Sequence, residues 1–232
     1  MLVTVGQLFL LLVISFALGS IPWGVIISRV FFHTDVREHG SGNIGTTNAI
    51  RTMGKAGGYA VFVLDFGKGI AAGAIASAFG LSLMPGNVLG VVAFVQAFGG
   101  ADNPFAYIHQ VCLAVAFLGC VMGHIFCPWL GFKGGKGIAV AVGCLFCTFG
   151  VVGAVLELVI FAVVVVVTKY VSAGSIAAAV ACPFFSLYFF WGNPVAFVLC
   201  TLVALTVIWA HRENIARLRA GTESRIGSKK KA

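Results

Sequence analysis

Long uninterrupted apolar runs dominate the chain. Charge-free stretches extend from Met1 to Ser28, Gly69 to Ala101, Asn103 to Phe132, Gly137 to Leu156 and Tyr170 to His211. A bilayer crossing takes about 20 apolar residues in a helix, whereas the strands of a membrane barrel are about ten residues long and alternate in polarity. Runs this long and this evenly apolar predict helices, which satisfy their own backbone in lipid. Seven are predicted, over about 3–31, 58–80, 108–127, 137–151, 153–168, 173–190 and 194–210. The fold expected is an all-α polytopic membrane bundle. The fourth and fifth helices share an apolar run broken only by Gly150 to Gly153 and by Glu157, so a single long tilted helix is the rival reading.

Charge placement decides between them, because short cytoplasmic loops keep Lys and Arg. With seven spans, the N-terminus outside and the C-terminus cytoplasmic, all 15 Lys and Arg fall on the inner side or the inner half of a helix. Arg29, Arg37, Arg51, Lys55 and Lys68 surround the first inner loop, Lys133 and Lys136 occupy the second, and Lys169 marks the third. The outer connection from Leu81 to Tyr107 carries none, and its apolar part, Gly86 to Gly100, too short to cross, is expected to lie at the interface or dip in. Two regions follow: a transmembrane bundle over 1–211 and a basic cytoplasmic tail over 212–232, whose Lys229, Lys230 and Lys231 would lie against anionic lipid headgroups.

Composition agrees. Residues are 60% hydrophobic and 9% charged, against about 25% charged in a soluble domain, so lipid is the main solvent. The first twenty residues lack a basic leader and continue through Gly19-Ser20-Ile21-Pro22 into more apolar chain, which reads as a retained first span. Seven cysteines lie mostly inside apolar runs and read as small buried hydrophobes. The spacing of Cys144 and Cys147 lacks the surroundings of a redox or metal motif, so no metal is assigned.

Chemistry-bearing residues concentrate on the predicted inner side. The first segment, Arg37 to Arg51, contains Gly40, Ser41, Gly42, Asn43, Gly45, Thr47 and Asn48. Glycines free backbone N–H groups to converge, neutral side chains add donors, and Arg51 offers a planar fork for phosphate. The second reads Gly131-Phe132-Lys133-Gly134-Gly135-Lys136-Gly137 and leads directly into an apolar helix. A glycine-flanked lysine at a helix N-terminus joins free amides to the positive end of the macrodipole. Gly137 stands where a nucleotide-binding P-loop needs Ser or Thr, so nucleotide hydrolysis is disfavoured.

Asp65 and Lys68, one turn apart, can pair; they are expected to face a polar cavity and mark a site, with a purely structural pair as the alternative. His124 and His211 stand at inner helix ends, where either could accept a proton or bind phosphate. His211, Asn214 and Arg217 recur on one side of a continuing helix. Glu157 has no sequence partner, is expected nearer the outer face, and takes no role.

These blocks, in this order, resemble the bacterial acyl-phosphate-dependent glycerol-3-phosphate acyltransferases, the PlsY family. The resemblance runs from Gly40-Ser41-Gly42-Asn43 to Arg51, through Gly123-His124 and Gly131 to Gly137, to His211, Asn214, Arg217, Gly221 and Glu223, and includes Gly19 to Pro22 and Asp65 to Gly69. It implies a seven-helix enzyme of the bacterial cytoplasmic membrane that acts in phospholipid synthesis, moving an acyl chain from acyl phosphate to glycerol 3-phosphate. By the same resemblance, Ser41, Arg51, Lys136, His211 and Asn214 would surround glycerol 3-phosphate and the reacting centre. Gly42, Asn43, Thr47, Asn48 and the Gly134 to Gly137 loop would hold the acyl phosphate. Lys133, Asp65, Lys68, His124 and Arg217 are further candidates for contact with substrate. The expected partners are the two substrates and membrane lipids, with no nucleic acid, cofactor or covalent acyl-enzyme.

Two alternatives are weaker. An anion transporter or channel would want polar residues threading to the outer face, and the outer halves are nearly bare. An acyltransferase of the His-x4-Asp type needs a spacing this sequence lacks.

Overall fold

The computed structural model describes residues 5–82 and 104–227; the middle of the outer connection and the terminal lysines Lys229, Lys230 and Lys231 lie outside the described residues. Helices follow one another as α1 (Val5–Gly19), α2 (Trp23–Phe32), α3 (Thr46–Ser82), α4 (Pro104–Ile125), α5 (Ile138–Thr148), α6 (Gly150–Thr168), α7 (Val171–Phe189), α8 (Pro194–Ala210) and α9 (Arg212–Arg219). Short 3-10 turns lie at Val36–Glu38 and Pro128–Leu130.

The first predicted helix is in fact two. Pro22 has no N–H to donate and disfavours helical geometry at Ile21, so the spiral stops at Gly19 and restarts at Trp23. The carbonyls freed by the break find other partners: Ile21 O accepts Lys68 Nζ at 2.9 Å, and Ser20 O accepts the Cys127 thiol at 3.1 Å. The second predicted helix starts earlier than expected, at Thr46. A left-handed Gly54 (φ 71°) divides it into a short amphipathic lead and a long apolar shaft, and the lead places Arg51 on a helix rather than in a loop.

Helix α4 is the hub, packed against α1, α3, α5 and α8 and buried over most of its length. Its neighbours come close because small residues line the crossings. A Cβ on Gly123 would strike the Phe16 carbonyl, and one on Gly69 would strike that of Val140. Large apolar side chains such as Phe9, Val152, Val163 and Val167 point outward, as lipid-facing positions do.

Among the described residues, five segments are long and apolar enough to cross a bilayer, or six if α8 and α9, bent by 54°, count as one. Helix α5 is apolar but has only 11 residues, and left-handed Gly150 separates it from α6. The two predicted helices are thus separate, but the break falls at Phe149 and Gly150, and α6 continues unbroken through Gly153.

Candidate active site

The segment before α3 is shaped by its own side chains. Asp35 caps the Val36–Glu38 turn and receives both Arg37 (2.6 Å) and Arg29 (2.8 Å). These guanidiniums, Arg37 first, hold its carboxyl far below the ordinary carboxylate range. Asn48, 2% exposed, donates from Nδ2 to Val36 O (2.9 Å) and His39 O (3.0 Å), while its Oδ1 accepts the Ser41 amide (2.9 Å). Asn43 Oδ1 accepts the Gly45 amide at 2.9 Å. Both asparagines thus serve the loop itself. Left-handed Gly40 and Gly42 let it fold over Asn48, where a Cβ on Gly40 would collide with Oδ1. The segment leaves Arg37 to Gly42 exposed, Ser41 among them, and further on Thr47 and Arg51.

The glycine-lysine loop behaves similarly. The Gly134 amide donates to Ile125 O and that of Gly135 to His124 O, both at 3.0 Å, which satisfies carbonyls orphaned at the end of α4. These two amides therefore do not face a ligand, as a simple anion nest would require. The amides of Lys136, Gly137 and the first turn of α5 remain to present one. Left-handed Gly137 (φ 81°) caps α5.

Behind this loop lies a buried polar brace. Lys68 Nζ is 2.9 Å from Asp65 Oδ1, 3.0 Å from His124 Nδ1 and 2.9 Å from Ile21 O. None of the three side chains is more than 4% exposed. The polar cavity expected around Asp65 and Lys68 is absent; they face each other and His124, and a Cβ on Gly135 would strike His124 Nε2. The cluster positions the loop and does not line the exposed surface.

The third block closes on the second. Lys136 Nζ donates to Asn214 Oδ1. Asn214 Nδ2 donates to Glu223 Oε1 (2.7 Å), Arg217 Nε to Glu223 Oε2 (2.7 Å) and Ser172 Oγ to Glu223 Oε1 (2.9 Å). Burial is the first cause holding the Lys136 ammonium below its ordinary value; the charges of Arg217 and Arg51 act in the same direction, and Glu223 and Glu213 oppose them. Lys136, Asn214, Arg217 and Glu223 thus bring the second and third blocks together at one rim, and the charge of Arg51, from the first block, acts there most weakly. Lys133 is exposed beside them.

His211, 3% exposed, lies 2.8 Å through Nδ1 from Val207 O. A carbonyl can only accept, so Nδ1 carries the proton and Nε2 keeps its lone pair. Burial is the main cause pushing its titration down to about 4.

Sequence reasoning left Glu223 out of the set of site residues. Its signal was a lone carboxylate shortly after three donors on one helix face. Asp35 and Ser172 had no comparable signal.

The geometry meets a clear set of relatives. The family model for glycerol-3-phosphate acyltransferase matches residues 9–221. The chain belongs to that family. Among its relatives, the glycerol-3-phosphate acyltransferase of Rhodopseudomonas palustris (strain HaA2) is 38% identical across 97% of this chain and 99% of its own. That of Ruegeria sp. (strain TM1040) is 42% identical across 93% and 92%. The crystal structure of PlsY, an integral membrane glycerol 3-phosphate acyltransferase, in its glycerol 3-phosphate form superposes with a TM-score of 0.74 at 31% identity over 96% of each chain. Its lysophosphatidic acid form gives 0.72 at 29%. Like PlsY, this member of the family is an integral, multi-pass membrane protein.

Proposed function

We propose that this chain transfers a fatty acyl group from acyl phosphate to glycerol 3-phosphate, releasing 1-acylglycerol 3-phosphate and inorganic phosphate. What supports the reading is the cluster of Lys136, Asn214 and Arg217 around Glu223, near the Nε2 of His211, with the charge of Arg51 also acting on Lys136; the exposed Ser41 and Thr47 of the Arg51 segment are assigned to the same site. Two phosphates brought together repel, and such a concentration of cations and neutral donors offsets that repulsion.

Acyl phosphate is a mixed anhydride with a good leaving group. Chemistry then needs little beyond orientation and stabilisation of charge. The 1-hydroxyl oxygen of glycerol 3-phosphate forms a bond to the acyl carbon, the bond to the bridging phosphate oxygen breaks, and phosphate departs with its electron pair. A substrate phosphate oxygen or His211 Nε2 takes the hydroxyl proton; Asp65 and His124 are enclosed with Lys68 and take no part. No covalent nucleophile is required.

An apolar cavity of about 370 Å³ would house the acyl chain. It is lined by Phe62, Phe66, Phe117, Ile138 and Val207, among others. Ile138 lies two residues after Lys136, and the Val207 carbonyl holds His211, so one end adjoins the polar rim.

Connectivity supports seven spans with this rim at the cytoplasmic face of a bacterial inner membrane. Lys136, Asn214, Glu223 and Ser172 form one hydrogen-bonded series, and Ile226 N donates to Lys169 O at 2.9 Å. Chain leaving at Lys136 and returning at Lys169 must go out and come back, which makes α5 and α6 a pair.

The test is to supply purified protein in detergent with glycerol 3-phosphate and either palmitoyl phosphate or palmitoyl-CoA, measuring lysophosphatidate and released phosphate. Turnover is expected with the first donor only, and near-complete loss in folded Lys136→Ala and Arg51→Ala. Equal rates with palmitoyl-CoA would overturn the donor assignment, and unchanged variants the site.

A further inference from the structure

The apolar cavity is closed toward the outer face by stacked rings. Its lining ends on α5 at Leu145 and Phe146 and on α7 at Cys182. The next residues outward on those faces, Phe149 one turn after Leu145 and Phe185 one turn after Cys182, lie against each other with ring centroids 6.4 Å apart. Phe189 stacks on both, 5.7 Å from Phe149 and 6.2 Å from Phe185, and Phe190 meets Phe149 at a steeper angle, 5.4 Å away. Gly153 of α6 packs against Phe149 and Phe189, and Phe149 is 1% exposed. Three helices thus place their outer turns in one close-packed block, which yields little to a ligand. The side wall differs: Phe62 of α3 lines the cavity and is 39% exposed, so the wall there reaches the lipid-facing surface.

We propose that this aromatic block, with Leu145 in front of it, is the stop that sets the longest acyl chain the protein uses, which makes Leu145 a specificity-determining residue. The depth can be measured along α7, which carries both ends. Ser172 donates to Glu223 at the polar rim, and Cys182 stands at the outer limit of the cavity. The ten residues between them rise about 15 Å at 1.5 Å per residue. That is about half of a hydrocarbon core about 30 Å thick, so the stop stands near the depth at which one leaflet's chains end. Carbon–carbon bonds of about 1.5 Å advance an extended chain by roughly 1.3 Å per carbon, so about a dozen carbons fit below the rim. A hexadecanoyl chain, its first carbons at the reacting centre, reaches the stop. An eicosanoyl chain overruns it and must bend or push into the packed rings, where overfilling is unfavourable.

This inference rests on the acyl-transfer reading, and its test separates the two. The protein in detergent is given glycerol 3-phosphate with tetradecanoyl, hexadecanoyl, octadecanoyl or eicosanoyl phosphate. In parallel, the corresponding free fatty acids compete with a fluorescent fatty acid for the cavity, a readout that needs no turnover. Hexadecanoyl is expected to exceed eicosanoyl by about tenfold or more in kcat/KM and in competition, the scale on which an apolar pocket discriminates by methylenes. Leu145→Ala and Phe149→Ala should each bring that ratio toward one. Leu145→Phe fills the outer end and moves the limit down, so that tetradecanoyl outruns hexadecanoyl. Phe184→Ala, on the outward face of α7 at 69% exposure, should keep the native ratio. Equal values from hexadecanoyl to eicosanoyl in the native protein overturn the stop and mean that the chain leaves sideways past Phe62. A native ratio that survives in both Leu145→Ala and Phe149→Ala overturns it too; general destabilisation lowers all chains together and cannot shift the limit in opposite directions. Length discrimination in competition without acyl transfer from any donor would sink the enzymatic reading and leave the stop standing.

Discussion

Lys136 illustrates how one side chain is tuned by neighbours from distant parts of the chain. Its ammonium is held below the ordinary lysine value by burial, then by Arg217 and Arg51, with Glu223 pulling it back up. A lysine that must be charged to bind phosphate is charged below its pKa, and a lowered pKa means the charge is lost earlier as pH rises. The alkaline limb of kcat/KM should therefore fall below the ordinary lysine value near 10.4. Glu223→Gln removes a group that supports the charged form and loosens the ties to Asn214 and Arg217. Its alkaline limb should shift to lower pH, and kcat/KM should drop by about 10²-fold from misplacement of the donors. A pH–rate profile of both proteins measures this; a limb that stays in place would show that Glu223 does not act on Lys136. Glu223 was legible only as part of a resemblance. Its role depends on the tail folding back from Arg219, which local sequence pattern does not specify.

At the level of elements, breaks rather than spans position the site. Hydropathy located the apolar shafts well, because a lipid solvent demands continuous apolar length. It passed over Pro22, Gly54 and the amides of Gly134 and Gly135, where the backbone changes course without any loss of hydrophobicity. Asp65, Lys68 and His124 read as site residues because buried charge usually marks function in membranes; here they fasten the break before α2 to the end of α4 and to the loop behind Lys136. Removing one charge should be worse than removing both. Lys68→Met leaves Asp65 buried and uncompensated, at a cost of about 3–5 kcal/mol, whereas Asp65→Leu combined with Lys68→Met should cost markedly less. Thermal unfolding in detergent compares them, and a double variant less stable than Lys68→Met would refute the brace as an ion-pair device.

At the scale of the whole molecule, one polar rim is built from chain segments separated by apolar shafts, so topology and chemistry must agree. Charge asymmetry predicted that Lys133, Lys136 and Lys169 share a side, and the bonds from Lys136 through Asn214 and Glu223 to Ser172 draw the last two regions together. Helix α5 resists this arrangement, since 11 residues reach only about 16 Å of a hydrocarbon core about 30 Å thick. The out-and-back pair is compatible with that length if its turn at Phe149 and Gly150 stays below the outer surface, and the buried Phe149, 5.7 Å from Phe189 between ring centroids, provides an apolar anchor there. Labelling with a membrane-impermeant maleimide tests the arrangement. Lys133→Cys and Lys169→Cys should both react in inside-out vesicles and be silent in intact cells, while Val151→Cys should label poorly from either side. The seven native cysteines are all free, and six are buried, so the unsubstituted protein sets the background. Reaction of Lys133→Cys and Lys169→Cys from opposite sides would make α5 and α6 a single crossing and would separate the glycine-lysine loop from the third inner connection that its hydrogen bonds require.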